Sequence, residues 1–97
     1  MKVLAIGTVV KQLTPEQQGA IMPREVPATL KLYLEGKIEQ HWFRHDKVGV
    51  VFLMSSESVE DAKATLDTLP LTADGIMSFE LIPVGPLAPL GLLLQGK

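Results

Sequence analysis

The chain of 97 residues suits a single domain spanning residues 1–97, with 46% hydrophobic and 21% charged residues, a globular rather than disordered composition. It contains no cysteine, which removes disulfides, thiolate metal sites and a Cys nucleophile from consideration. A net charge of −2 lacks the basic footprint of a nucleic-acid binder, and no apolar run approaches the ~20 residues that cross a bilayer, so neither nucleic acid nor membrane is an expected partner and a cytoplasmic setting fits.

Met1 to Gly7 carries one charge and a short apolar run without a signal peptide's cleavage site, and reads as a strand. Val3 to Val10 is apolar without polar alternation, the pattern of a central strand covered on both faces. Thr14-Pro15-Glu16-Gln17 follows, with Thr14 and Gln17 at capping-box spacing and Pro15 suited to the first turn of a helix, so a short helical turn is expected there. Pro23 to Glu35 places Val26, Leu30, Tyr33 and Leu34 on one helical stripe, expected to be buried, with Gly36 placed to stop the helix and Pro27 tolerable only near its start. Ile38 to Arg44 and Val48 to Met54 read as a hairpin around His45-Asp46-Lys47; a turn centred on Asp46 sets Trp42 opposite Val50 and His41 opposite Val51. Ser58 is the expected N-cap of a second helix whose buried stripe is Val59, Ala62, Leu66 and Leu69, ended by Pro70. Ile76 to Ile82 is a fourth strand, and Pro83, Pro86 and Pro89 punctuate a Leu-rich tail.

The order βαββαβ folds as a ferredoxin-like α+β domain, an antiparallel sheet with two helices on one face, because right-handed crossovers return both helices to the same side. Strands apolar on both faces then require a second cover. A second copy of the same sheet is the simplest one, giving a homodimer or larger homo-oligomer, with Leu87, Leu90, Leu92, Leu93 and Leu94 available to reach across; the competing reading folds that tail onto its own domain.

Glu35-Gly36, Trp42 in a strand, Ser58-Val59-Glu60 opening a helix, Leu69-Pro70-Leu71 closing it and Phe79-Glu80-Leu81-Ile82-Pro83 in the last strand together resemble the muconolactone isomerase family. The resemblance runs over about two-thirds of the chain and lies in the order of short motifs more than in any one of them. It implies a dimeric α+β barrel whose best-known member shifts a double bond in an unsaturated lactone that carries a carboxylate. Related barrels include cofactor-free oxygenases and small proteins similar to the YciI group. Phe43-Arg44-His45 and the Leu-rich tail depart from the isomerase pattern.

A double-bond shift by proton transfer needs a base, an acid partner and a carboxylate anchor. His41 and Glu80 are the candidate catalytic residues, since His titrates near neutrality and burial on a strand raises a carboxyl pKa. Arg44 is the candidate carboxylate anchor, with Trp42 and Tyr33 beside it as candidate substrate-binding residues. Alternation puts His41 and Arg44 on opposite faces of their strand. Plainer readings compete: His41 as a hydrogen-bonded sheet residue, Arg44 paired with Asp46 or with a partner chain, Glu80 in an ion pair, Trp42 and Tyr33 as core or interface anchors. His41 and His45 lie ~13 Å apart on an extended strand, too far for one metal ion, and Gly7, Gly36 and Gly49 are isolated, so no metal, nucleotide or other cofactor is implied. Two classes of function remain: a cofactor-free isomerase or related lyase or oxygenase on a small ring-derived acid, and a non-catalytic dimeric module for a small apolar or carboxylated ligand.

Overall fold

The computed structural model describes residues 1–86. Its elements run β1 (Lys2–Val9), α1 (Pro15–Leu34), β2 (Ile38–Phe43), β3 (Gly49–Ser55), α2 (Val59–Leu66), a single turn α3 (Pro70–Ala73) and β4 (Met77–Val84). The four strands form one antiparallel sheet in the order β2-β3-β1-β4, with β1 central as its unbroken apolar run implied. Val3 and Ala5 from β1, Phe52 and Met54 from β3, Leu32 from α1, and Ala62 and Leu66 from α2 share one core cluster, so both long helices cover the same face. This is the ferredoxin-like α+β arrangement expected from the element order. Among the described residues no helix is long and apolar enough to cross a membrane.

α1 departs from expectation in two ways. It is one continuous helix from the Thr14 capping box, in which Thr14 Oγ1 accepts the Gln17 N–H and Gln17 Oε1 accepts the Thr14 N–H, through both Pro23 and Pro27. Those prolines are four residues apart and both exposed, so the carbonyls they leave unbonded lie on the solvent side, where water satisfies them. The buried line is Ile21, Glu25 and Leu32 with Ala28 half-buried, while Val26, Leu30, Tyr33 and Leu34 are exposed. A hydrophobic pattern places Glu25 outside. Here its carboxylate accepts the Leu71 N–H at 2.9 Å and the Thr29 hydroxyl at 3.1 Å, satisfying a backbone donor at the start of α3. Burying one hydrogen-bonded carboxylate therefore rotates the helix away from the position its apolar residues alone select. Gly36 terminates α1 at φ 79°, with Gly36 N–H donating to Tyr33 O and Lys37 N–H to Leu32 O.

Ser58 caps α2 as expected, accepting the Asp61 N–H. Pro70 does not close that helix; α2 ends at Leu66, and Pro70 opens α3, where its missing N–H is harmless. Pro83, expected beyond the last strand, lies inside β4 opposite Val3. β4 is an edge strand, so a proline that lacks a donor can turn that side of its backbone outward. The hairpin is out of the expected register by one: His41 pairs with Phe52, Trp42 with Val51 and Phe43 with Val50. The Arg44 N–H closes the turn on Gly49 O at 3.0 Å, leaving four residues between them instead of three centred on Asp46. The Leu-rich tail expected to reach a second copy lies outside the described residues.

Candidate active site on the open sheet face

Strand pairing sorts the face away from the helices into transverse rows. Gln40, Leu53, Leu4 and Ile82 form one row, and Trp42, Val51, Ile6 and Glu80 the next. A third row runs through Arg44, Gly49, Thr8 and Ser78. The first two are apolar apart from Gln40 and Glu80, whereas the third carries only polar side chains around Gly49. In the single chain this face is open: Leu4, Ile6, Val51 and Leu53 are half-buried, and Ile82 and Trp42 are 38% and 47% exposed.

Gly49 is what lets the third row close up. Arg44 directly follows β2, yet its Nη1 donates to Thr8 Oγ1 on β1 at 2.7 Å, crossing β3 at the one position without a side chain. A Cβ at Gly49 would stand 3.2 Å from Arg44 Cδ and 2.0 Å from the Gly7 carbonyl oxygen. Arg44 also grips Asp46 through one edge of its guanidinium, Nε to Oδ1 at 3.0 Å and Nη2 to Oδ2 at 2.7 Å. The guanidinium is thus anchored by three of its five N–H groups, leaving two for a ligand. The pairing with Asp46 is the one that the sequence suggested as Arg44's structural role.

Asp46 is held at a pKa of about 2, chiefly because Arg44 donates hydrogen bonds to its carboxylate; the same bonds raise Arg44 further. Folding lowers this carboxyl pKa, so its contribution to stability is complete above the ordinary value of 3.8 and is lost as pH falls through about 2. Carbon-detected NMR titration of the Asp46 side chain is expected to show an inflection near 2 in the parent and one displaced toward 3.8 in Arg44→Gln. An inflection near 3.8 in the parent would show that the fork is not formed in solution.

Arg44, Thr8, Ser78, Glu80 and Lys47 line a cleft of about 470 Å³ floored by Ile6 and Val10. Two residues named from sequence, Arg44 and Glu80, therefore meet in one place, and Trp42 shares Glu80's row across the same face. Among the described residues neither Glu80 nor Lys47 is in an ion pair. His41 and Tyr33 lie elsewhere. His41 pairs with the core residue Phe52 on the helix-covered face, and its ring meets Tyr33 of α1 edge-on, with centroids 5.1 Å apart. The sheet separates that pair from Glu80 within one protomer. Thr8, Ser78 and Lys47 were not singled out from sequence. Strand parity alone would have put Thr8 on the same face as Leu4 and Ile6, but an isolated hydroxyl carries no motif.

An antiparallel β2-β3-β1-β4 sheet with two helices on one face and a polar cleft on the other defines a ferredoxin-like α+β domain with an open second face. In particular, its fold is that of muconolactone isomerase, whose crystal structure superposes with a TM-score of 0.76 at 22% identity, over 89% of this chain and 90% of that one. The 5-chloro-2-hydroxyhydroquinone dehydrochlorinase of Burkholderia phenoliruptrix AC1100, solved with 2,5-dihydroxybenzoquinone, superposes with a TM-score of 0.62 at 16% identity, over 88% and 94%. No protein-family model matches the chain, and comparison with curated proteins finds no match.

Proposed function

We propose that this protein is a cofactor-free isomerase, or a closely related lyase, that moves a proton on a small, unsaturated, ring-derived carboxylic acid in the open-face cleft, and that it works as a homodimer closed over that face. The observation that carries the reading is the convergence on one cleft of a pre-anchored guanidinium, Arg44, and a carboxylate outside every ion pair formed among the described residues, Glu80. Muconolactone isomerase and the dehydrochlorinase, which share the fold, both act on small ring-derived molecules by their names, and that supports the substrate class.

In this reading the free N–H edge of Arg44 takes the substrate carboxylate, assisted by Lys47. Glu80 removes a proton from the carbon next to the double bond, the electron pair spreads into a dienolate, and the same carboxyl returns the proton at the far carbon. The double bond migrates with no net gain or loss of atoms or electrons. Thr8 and Ser78 hydroxyls donate to the developing oxyanion. A second sheet over the cleft has a chemical purpose beyond burying Leu4, Ile6, Val51 and Leu53: it excludes water from the place where the proton moves. His41, across the sheet, stands outside this proton path.

Leu53→Asp tests closure and chemistry together, because an isologous interface would then bury two unpaired carboxylates. The parent is expected to sediment as a dimer at micromolar concentration and to exchange solvent deuterium into an unsaturated lactone acid. The variant is expected to sediment as a folded monomer with that exchange lost. A parent that is monomeric and inert toward such acids would overturn the reading.

A further inference from the structure

We infer that a second site, on the helix side of the sheet, binds a small aromatic acid bearing a hydroxyl group. It is a cleft of about 280 Å³ where the β1–α1 loop, the first half of α1 and the turn before β4 meet. Its volume is that of roughly nine waters, enough for one monocyclic molecule. Gln17, Ala20, Ile21 and Arg24 stand at i, i+3, i+4 and i+7, so a single face of α1 forms one wall. The floor is apolar and firmly built: Ile21 and Ile76 are buried members of the second core cluster, and Leu13 packs against it from the loop.

The rim is ionic. Lys11 and Arg24 both line the cleft, and among the described residues neither is in an ion pair or a side-chain hydrogen bond. Asp74 is the one carboxylate in the lining and is likewise outside the ion pairs formed. Two cations, one carboxylate and an apolar floor together fit a ligand with a carboxylate for Lys11 and Arg24, a ring for Leu13, Ile21 and Ile76, and a hydroxyl donor for Asp74. None of these groups belongs to the proposed catalytic cleft. The two clefts are nonetheless joined through one strand end, since Val10 lines the open-face cleft and Lys11 lines this one, while the Val10 N–H donates to Ile76 O at 2.7 Å.

The test is titration of the full chain with para-hydroxybenzoate, followed by amide chemical shifts, alongside neutral para-hydroxybenzamide. Expected are saturable shifts at Leu13, Ala20, Ile21 and Ile76 with a Kd of ~1 mM or tighter. The benzamide, Arg24→Gln and Lys11→Gln are each expected to weaken binding about tenfold, in line with loss of one charge-assisted contact. Arg44→Gln is expected to leave these shifts unchanged, which separates this site from the catalytic reading. Equal binding of acid and amide, shifts confined to Thr8, Ser78 and Glu80, or no saturable shifts would each overturn it.

Discussion

Glu80→Gln is expected to slow proton exchange on an unsaturated lactone acid by about 10²–10⁴-fold, the usual worth of a positioned general base. The substitution keeps the size and hydrogen-bonding capacity of the side chain while replacing a basic carboxylate by a non-basic amide. Glu80 sits on an edge strand and is exposed, outside every ion pair formed among the described residues, so the fold loses little with its charge. Secondary structure and dimerisation should therefore be preserved, and the loss should appear in kcat rather than in KM, since Arg44 still anchors the carboxylate. His41→Gln is the matched control. His41 packs edge-on against Tyr33 on the helix-covered face, and its replacement should leave turnover and its pH profile intact. The reverse outcome, with His41→Gln inactive and Glu80→Gln active, would move the chemistry to the other side of the sheet.

Among the glycines of the described residues, Gly49→Ala is expected to be the most damaging added methyl group. The added carbon would stand 2.0 Å from the Gly7 carbonyl oxygen, a backbone atom that cannot swing aside, so β3 and β1 must separate locally. Overpacking of this kind destabilises by about 1–3 kcal/mol, and a backbone clash lies at the upper end of that range. The same methyl group would lie 3.2 Å from Arg44 Cδ, displacing the guanidinium from Thr8. Urea denaturation should show the lost stability, and the exchange assay a raised KM for carboxylated substrates, because a misplaced anchor weakens ground-state binding first. Wild-type stability and KM in Gly49→Ala would show that β3 does not carry Arg44 across at this point.

Much of the fold was legible because it is locally encoded. The unbroken apolar run of β1, the Thr14–Gln17 capping box, the Ser58 cap with Ala62, Leu66 and Leu69 behind it, and the left-handed stop at Gly36 each depend on a few adjacent residues. What the sequence hid depends on contacts made over long separations. Glu25 is buried only because Leu71, 46 residues away, offers it a backbone N–H, and that contact turns α1 so that Val26, Leu30 and Leu34 face outward. The hairpin register moved by one residue in a turn where Arg44 is engaged by Thr8, 36 residues away, and by Asp46. The proposed site was readable in the same sense only in part. Arg44 and Glu80 stood out by residue type, and alternation correctly put His41 and Arg44 on opposite faces, but the approach of Arg44 to the β4 side required both the strand order and the missing side chain at Gly49.

The central claim, that Arg44 and Glu80 serve one substrate on the open sheet face, is tested most directly by a crystal structure of the protein with an unsaturated lactone acid bound. The expected result is one molecule per protomer between two facing sheets, its carboxylate on the free edge of Arg44 and its acidic carbon about 3–3.5 Å from a Glu80 oxygen. A lactone acid seated beside His41 and Tyr33, with the open-face cleft empty, would contradict it.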